Sequence, residues 1–242
     1  MWRVADVVST QTETATARTL GLRIHGLMSS VAGQHVDIRL TAADGYTAVR
    51  SYSIGRSGSG DMIEVTVDEL PDGEVSPYLV ENVQVGDQLE VRGPVGGWFV
   101  WREENPRPVQ LIAGGSGVVP LMAMIRAHEE SASTSAFHLL YSVRSPETMI
   151  YRDELAERAV SSSKLAVEYV YTRAVPEGWD RSPKRLDETT LLEHILPASD
   201  APDVFVCGQT IFVETVADWL VAAGYEPSTI RTERYGGTGG TS

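Results

Sequence analysis

Cysteine is nearly absent from this sequence: the chain has one, Cys207, among 242 residues. A single thiol cannot form a disulfide within the chain or build a zinc site from cysteines. It also cannot hold an iron–sulfur cluster, which usually needs about four thiolates. We therefore expect no metal site. If the protein handles electrons, an organic cofactor must carry them.

Long apolar runs and basic side chains are also scarce. No stretch approaches the roughly 18 uninterrupted apolar residues of a transmembrane helix, and the amino terminus lacks the basic-then-apolar layout of a signal peptide. We therefore expect a soluble, cytoplasmic protein without a membrane partner. The formal charge of −13, from 33 acidic and 20 basic side chains, repels phosphate backbones and disfavours nucleic acid as a partner.

The residues that are present divide into two textures. The first part contains short β-type runs separated by turn residues, which is typical of an antiparallel barrel or sandwich. These runs span residues 2–8, 17–24, 34–40, 47–54, 62–67 and 88–94. The second part alternates apolar runs with helical patterns at 118–130, 149–159 and 212–224, which indicates βαβ units and about five parallel strands.

A proline-containing linker, residues 105–108, separates the two textures. We therefore predict an N-terminal antiparallel β-barrel domain over residues 1–106 and a C-terminal α/β domain over residues 107–242. The α/β domain should contain a five-stranded parallel sheet, as about five strand patterns occur there. The glycine-rich end, residues 236–242, is predicted to be partly flexible, because glycine carries a large ordering cost.

The motif GGSGVVP at 114–120 lies between a buried strand pattern and an amphipathic helix pattern. A glycine-rich strand-to-helix turn lets backbone amides approach a pyrophosphate, and the helix amino terminus favours negative charge. Pro120 stands where the common dinucleotide fingerprint has glycine, so the motif departs from G-x-G-x-x-G. Alone, this motif is also compatible with a tight connection that binds no ligand.

A second motif, Arg50-Ser51-Tyr52-Ser53, lies at the end of an apolar strand pattern. An arginine can donate two hydrogen bonds to a phosphate, a tyrosine can lie against a flat ring, and a serine hydroxyl can reach a ring nitrogen. Strand alternation predicts Arg50 and Tyr52 on one face and the two serines on the other. Alone, these side chains are equally typical of a barrel surface.

The third motif, residues 73–79, opens the one helical pattern of the predicted barrel. We expect Ser76 to cap that helix, and the exposed amides there are candidates to hold a second phosphate. The alternative is a plain capped helix without a ligand.

The order and spacing of these motifs are more specific than any one of them. The chain contains RxYS, GxxS, GDxLxVxGPxGxxF, GGSGxxP, YxxR and a late CG, in that order. In this it resembles the ferredoxin–NADP reductase family over nearly its whole length, in the two-domain form without an iron–sulfur module. The resemblance implies an FAD-binding barrel followed by a nicotinamide-binding α/β domain, with the flavin between them.

For the barrel, the resemblance implies that the RxYS motif holds the flavin. Arg50 would bind the FAD pyrophosphate, Tyr52 would lie against the isoalloxazine ring, and Ser53 would approach the flavin N5 atom, with Ser51 on the same strand. The remaining implied FAD contacts come from a second phosphate-holding loop and from the strand that passes the ribityl chain: Gly73, Val75, Ser76, Thr66 and Val67.

For the α/β domain, the resemblance implies a nicotinamide site at two turns. Gly115, Ser116 and Gly117 would hold the dinucleotide pyrophosphate. The Cys207 thiol, followed by Gly208, would orient the nicotinamide ring. The family usually has proline at the next position, where this chain has Gln209.

Near the carboxyl end, Glu233-x-Tyr235 resembles the family's terminal Glu-x-aromatic motif. The resemblance implies that Glu233 relays a proton toward the flavin through Ser53, and that Tyr235 covers the ring face used by nicotinamide. The alternative is an edge-strand glutamate followed by an ordinary aromatic residue.

The choice of donor depends on cations that could meet the 2′-phosphate of NADPH, normally at the end of the second strand of the nucleotide domain. Ser142 and Arg144 stand there, and Arg173 ends the next strand pattern. No acidic residue occupies the place that would bind a free ribose hydroxyl. The sequence therefore favours NADPH over NADH.

These inferences predict an oxidoreductase, a monomer, that takes hydride from NADPH or NADH onto FAD. The electrons would pass to a separate acceptor, either a ferredoxin- or flavodoxin-like protein or an oxygenase component. Two alternatives stay open: a free-flavin or quinone reductase, and a non-catalytic electron-transfer subunit. Docking of an acidic redox protein would need a local basic patch, for which the candidates are Arg50, Arg56, Arg92 and Arg102.

Overall fold

The computed structural model describes residues 1–27, 29–57 and 60–235, so the predicted flexible end at 236–242 lies outside the described residues. The chain forms two compact units. The first comprises residues 1–102 together with residues 122–130, and the second comprises residues 103–121 and the chain from residue 131 onwards. The domain boundary after residue 106 stays a prediction.

The first unit is built on a closed barrel in which the strands follow the order β1-β2-β5-β4-β3-β6, with antiparallel pairing throughout. The six strands are β1 (Arg3–Thr12), β2 (Ala17–Ile24), β3 (His35–Thr41), β4 (Thr47–Ser57), β5 (Met62–Asp68) and β6 (Gln88–Val95). One helix, α1 (Ser76–Glu81), lies between β5 and β6.

The barrel interior follows from the alternation of apolar residues along the strands. Leu20, Leu22, Ile38, Ile54 and Val65 have no exposed surface, and they belong to one apolar cluster that also contains residues of α1. Apolar residues on alternate positions of a strand share a face, so closing the sheet brings them together. The predicted barrel is confirmed.

The second unit contains a five-stranded parallel sheet in the order β11-β10-β7-β8-β9. Its strands are β7 (Val109–Gly114), β8 (Phe137–Val143), β9 (Leu165–Tyr171), β10 (Asp203–Gln209) and β11 (Ile230–Tyr235). Its helices are α3 (Arg152–Ser161), α4 (Glu188–Glu193), α5 (Thr210–Ala222) and the start of α2 (Val118–Glu130). The predicted parallel α/β fold is therefore confirmed.

The strand order of this sheet identifies where a ligand would bind. From β7 the chain moves outward to β8 and β9, and it then returns to the other side of β7 to form β10 and β11. The order therefore reverses between β7 and β10, and parallel sheets bind ligands outside the carboxyl ends of the strands at such a point.

Two local predictions are wrong. Ser76 does not cap α1: the N-cap position is Val75, no side chain caps the helix, and the Ser76 hydroxyl instead accepts a hydrogen bond from the Leu70 N–H at 3.0 Å. The helical pattern at 149–159 begins late, because Tyr151 takes a left-handed conformation (φ 60°) and α3 starts only at Arg152.

None of the helices in the described ranges is both long and apolar enough to cross a membrane.

Candidate functional site

Strand β4 carries the first candidate site because it changes partner in its middle. It pairs with β3 from Thr47 to Ser53, and with β5 from Ile54 to Ser57. Arg50 and Tyr52 lie opposite Ile38 and Val36, which both point into the barrel and are fully buried. Residues paired across a ladder share a face, so Arg50 and Tyr52 lie on the inner side of β4.

The guanidinium group of Arg50 is held by a carboxylate of the chain itself. Arg50 Nη2 lies 2.5 Å from Glu74 Oε2, and Nη1 donates to the Val49 carbonyl at 2.7 Å. The Tyr46 hydroxyl donates to the other Glu74 oxygen at 2.7 Å. These Tyr46 and Arg50 hydrogen bonds lower the pKa of Glu74, so the group next to Arg50 is an anion at neutral pH.

Tyr52 and Ser51 have different surroundings. Tyr52 packs partly against the barrel core, and burial raises the pKa of its phenol well above the usual range. Ser51, on the outer face, donates from its hydroxyl to Asp37 at 2.6 Å, and Asp37 also accepts from Arg92. Burial raises the pKa of Asp37, but the hydrogen bonds from Ser51 and Arg92 outweigh it and lower the pKa overall. The Ser51 side chain is therefore not brought together with Arg50.

The loop before α1 depends on its glycine. A Cβ at Gly73 would come within 2.9 Å of both the Leu70 carbonyl oxygen and the Ser76 hydroxyl. Val75 is fully buried and Ser76 is nearly so. Packing therefore uses the Val75 and Ser76 side chains, which leaves the backbone of this loop as the part able to meet a ligand.

The two predicted contacts on β5 lie just past Val65, where its ladder with β4 ends. The Thr66 hydroxyl is 2.7 Å from the Thr19 hydroxyl, and Val67 is fully buried in the barrel core. The Thr66 side chain is thus held by Thr19 on the neighbouring strand, and the Val67 side chain packs in the core.

A groove of about 480 Å³ opens beside the Arg50–Glu74 pair in the same unit. Its walls combine apolar and polar side chains, including Leu40, Tyr46, Ala48, Glu74 and Tyr78. Tyr46 and Tyr78 are substantially exposed. Glu74 and Tyr46 therefore belong both to this groove and to the surroundings of Arg50.

The second candidate site is the glycine turn between β7 and α2. A Cβ at Gly117 would lie 2.2 Å from the Cys207 carbonyl oxygen, and one at Gly114 would lie 2.8 Å from the Phe212 ring. Gly115 has a φ of +56°, which side chains rarely adopt. Only glycine fits here, and the turn gives α2 a start whose backbone amides lie at the switch point of the sheet.

Tyr235 lies over this turn. Its hydroxyl donates to the Gly114 carbonyl and accepts a hydrogen bond from the Gly117 N–H at 3.3 Å. The hydroxyl would also lie 3.2 Å from a Cβ at Gly115. One amide of the predicted pyrophosphate turn is therefore bonded to a residue of β11.

Cys207 lies at the same switch point, opposite Ala113 on β7 and Glu233 on β11. It is 2% exposed. Burial, and then the charge of Glu233, raises the pKa of the thiol. Gly208 follows, where a Cβ would lie 2.7 Å from the Phe212 ring. Cys207 is therefore a neutral, buried thiol.

The structure brings the three predicted donor-selecting residues to neighbouring strand ends. Ser142 pairs with Gly114, and the Arg173 N–H donates to the Arg144 carbonyl at 2.9 Å. Arg144 and Arg173 are exposed. Glu147 follows shortly after, with a pKa lowered first by a hydrogen bond from Ser145, so this region also contains a carboxylate.

Sequence reasoning assigned no role to Glu74, Tyr46 or Phe212. The sequence contains a signal for Glu74, because an acidic side chain in a loop predicted to contact phosphate would repel that phosphate. Phe212 left none, since its contact with Gly114 depends on how α5 packs.

The predicted basic patch is largely neutralised. Three of its four arginines, Arg50, Arg56 and Arg92, form ion pairs with Glu74, Glu64 and Asp37 respectively.

The donor sets fit the cofactors that the sequence predicts. The barrel presents a half-exposed guanidinium, a tyrosine ring and a glycine loop, which suit a phosphorylated flavin. The α/β unit presents a turn that a Cβ would fill at the switch point of a parallel sheet, which suits a dinucleotide.

Comparison with known proteins agrees with both assignments. Residues 5–100 match the family of oxidoreductase FAD-binding domains, and residues 111–218 match the family of oxidoreductase NAD-binding domains. The predicted FAD- and NAD(P)-binding domains are thereby confirmed.

Two curated relatives are reductase components. The glycine betaine monooxygenase reductase subunit of Chromohalobacter salexigens is 32% identical over 85% of this chain and 56% of that protein. The toluate 1,2-dioxygenase electron transfer component of Pseudomonas putida is 25% identical over 86% of this chain and 59% of that protein. The chain therefore spans a little over half the length of these relatives.

A solved structure matches almost end to end. The FAD/NAD-binding domain of nitric oxide dioxygenase from Vibrio cholerae superposes with a TM-score of 0.86 and 26% identity, covering 97% of this chain and 99% of that one. Together with the two matched domains, this shows that the chain belongs to the ferredoxin–NADP reductase-like family of two-domain FAD- and NAD(P)-binding oxidoreductases.

Proposed function

We propose that this protein takes hydride from NADPH or NADH onto FAD and passes the electrons to a separate acceptor. The observation that carries the proposal is the glycine turn at the switch point of the parallel sheet, which packs against the Cys207 carbonyl. The same chain carries Arg50 on a barrel that matches FAD-binding domains. We take the barrel domain to end at residue 106.

In the barrel we assign Arg50 to the FAD pyrophosphate, Tyr52 to the isoalloxazine ring and Ser53 to the flavin N5 atom. The remaining assignments are to the backbone, because the side chains are engaged elsewhere. Residues proposed to contact FAD through their backbone are Ser51, Thr66, Val67, Gly73, Val75 and Ser76.

In the α/β domain we assign Gly115, Ser116 and Gly117 to the dinucleotide pyrophosphate. Cys207, with Gly208, would orient the nicotinamide ring. The raised pKa of the thiol supports a neutral, positioning role rather than a nucleophilic one. Glu233 is proposed as a proton relay.

Tyr235 is proposed as a cover that the donor displaces. Its hydrogen bonds to Gly114 and Gly117 support displacement at the pyrophosphate turn.

FAD held by these residues would supply a hydride acceptor that can release two electrons one at a time, which suits one-electron acceptors. The residues of this chain bind the two cofactors, orient them and exclude water. No acid or base is strictly required for the hydride step, so we expect substitutions at Glu233 to affect later proton uptake more than flavin reduction.

For the acceptor we propose an oxygenase component. The two reductase relatives belong to a glycine betaine monooxygenase and a toluate dioxygenase, which supports this choice over a ferredoxin- or flavodoxin-like protein. A free-flavin or quinone reductase and a non-catalytic subunit are the rival functions. The expected cytoplasmic location and monomeric state stay predictions.

Steady-state oxidation of the donor by the FAD-loaded protein separates these functions. We would supply free FMN, a soluble quinone and an iron–sulfur oxygenase component in turn, under argon. Fast turnover with the iron–sulfur protein and slow turnover with the small molecules is expected. Efficient turnover with FMN or quinone alone would favour a small-molecule reductase, and no donor oxidation with any acceptor would favour a non-catalytic subunit.

NADPH is the proposed donor because Arg144 and Arg173 end adjacent strands next to Ser142. A 2′-phosphate would meet these two cations. Replacing both arginines by glutamine should raise KM for NADPH and leave KM for NADH unchanged. An equal rise for both donors would contradict the 2′-phosphate assignment.

A further inference from the structure

The carboxylate of Glu74 already accepts a hydrogen bond from Arg50, the side chain assigned to the FAD phosphate. The Arg50 guanidinium meets Glu74 at 2.5 Å, and Tyr46 holds the other carboxylate oxygen at 2.7 Å. Glu74 is thus fastened from both sides, although its side chain and that of Arg50 are each about half exposed. The pairing is reachable by a ligand from solvent.

Other arginine–carboxylate pairs on the barrel have a different setting. Arg39 pairs with Glu90 and Arg92 pairs with Asp37, but neither arginine belongs to the RxYS motif that begins at Arg50. Glu74 is also the acidic residue within the loop of Gly73, Val75 and Ser76, whose backbone is the second candidate phosphate contact. Its negative charge therefore lies beside both proposed anion contacts of the barrel.

We propose that Glu74 is the residue that limits flavin affinity, by competing with the cofactor's phosphate for Arg50. The inference rests on the proposed FAD binding by this barrel. Binding of the cofactor breaks the Arg50–Glu74 pair or forces it to share the guanidinium, and the displaced carboxylate remains near the phosphate. Both effects oppose binding.

Competition follows from the geometry of the fork. A guanidinium presents its donors in one plane, and two of them are already used by Glu74 and the Val49 carbonyl. A pyrophosphate that accepts two hydrogen bonds from Arg50 draws on the same five donors, and it must approach them with Glu74 alongside. Like charges also repel. The repulsion energy of two unit charges about 4 Å apart in water is about 1 kcal/mol, which corresponds to a roughly fivefold change in affinity.

Glu74 also belongs to the groove of about 480 Å³ beside the pair. Release of the carboxylate from Tyr46 and Arg50 changes a wall of this groove together with the anion contact. A change at Glu74 therefore alters both the groove and the surroundings of Arg50, whereas a flavin without phosphate does not compete for Arg50.

The test is Glu74→Gln in the full chain, freed of flavin and titrated with FAD and, separately, with riboflavin, which lacks phosphate. Quenching of flavin fluorescence gives each dissociation constant. Glutamine keeps the size of the side chain and removes its charge. We expect FAD to bind roughly 5- to 20-fold more tightly to the variant, and riboflavin to bind unchanged.

Glu154→Gln is the matched control, because Glu154 pairs with Arg158 at 2.7 Å on α3 in the other unit. It should leave both dissociation constants unchanged. Equal FAD binding to Glu74→Gln would overturn the proposal, and weaker binding would mean that Glu74 instead orients Arg50 for the cofactor. Tighter binding of riboflavin as well would also overturn it, since the effect would not involve phosphate.

The wild-type titration separates this inference from the proposed function. Saturable FAD binding by the wild-type chain, with no gain in the variant, would reject the role of Glu74 alone. Absence of FAD binding in both proteins would reject the proposed function together with it.

Discussion

The two candidate sites offer different chemical groups to a phosphate. The barrel offers a side-chain cation, Arg50, whereas the α/β unit offers backbone amides at the glycine turn. In each, a group of the chain already occupies the contact: a charged carboxylate from Glu74 in the barrel, and the neutral Tyr235 hydroxyl in the α/β unit.

This difference separates affinity from folding. A half-exposed arginine can be replaced at little cost to stability, since exposed ion pairs contribute only about 0–1 kcal/mol. A turn in which a Cβ would meet backbone 2.2 Å away cannot change without moving its neighbours. We therefore expect a substitution of Arg50 to weaken ligand binding without affecting stability. A substitution in the glycine turn should weaken binding and also disturb the local structure.

The largest effect is expected for Gly117→Ala. The added Cβ would strike the Cys207 carbonyl oxygen, and overpacking of this kind typically costs about 1–3 kcal/mol. The melting temperature should fall and NADP⁺ binding should be lost, while the barrel still binds FAD. Differential scanning fluorimetry and calorimetric titration measure these quantities.

Gly97→Ala is the control for that variant, because a Cβ at Gly97 meets nothing within 4 Å. It should behave as the wild type. A Gly117→Ala protein with unchanged stability and NADP⁺ affinity would remove the turn from the site.

Arg50→Gln should have the next largest effect, confined to the flavin. Charge-assisted hydrogen bonds contribute about 1.5–3 kcal/mol, so FAD should bind roughly 10- to 100-fold more weakly. The melting temperature of the flavin-free protein should change little. Arg158→Gln, which breaks the Glu154 pair on α3, is the control, and unchanged FAD affinity in Arg50→Gln would contradict the phosphate assignment.

Tyr235→Phe should have the smallest effect and the opposite sign. Removing the hydroxyl releases the Gly117 N–H for phosphate, and a net hydrogen bond is worth about 0.5–1.5 kcal/mol, so NADP⁺ should bind about 2- to 10-fold more tightly. Tyr225→Phe is the control, because that hydroxyl donates to the Leu196 carbonyl. Weaker NADP⁺ binding to Tyr235→Phe would mean that the hydroxyl contacts the nucleotide.

Much of the fold could be predicted from local patterns. Alternating apolar residues and turn residues were sufficient for the barrel strands, and the apolar runs between helical patterns were sufficient for the parallel sheet. The failures are also local. The Ser76 hydroxyl accepts a hydrogen bond from the Leu70 N–H instead of capping the helix. The left-handed conformation of Tyr151 means that α3 begins only at Arg152.

The site was less predictable because its contacts join distant parts of the chain. Strand alternation predicts Arg50 and Tyr52 on one face, and the pairing of β4 with β3 agrees with this. The Arg50–Glu74 contact spans 24 residues and the Gly114–Tyr235 contact spans 121, and no periodicity connects such positions. Family resemblance implied a role for Tyr235 at the flavin, whereas the hydrogen bonds of its hydroxyl connect it to the glycine turn.

The most direct test of the central claim is the visible spectrum of the FAD-loaded protein during anaerobic addition of NADPH and, separately, NADH. Our account predicts that the oxidised-flavin absorption bleaches with a stoichiometric amount of donor, and that NADPH bleaches it faster. A protein that binds FAD but whose flavin stays oxidised with both donors would contradict the claim that this chain carries out hydride transfer.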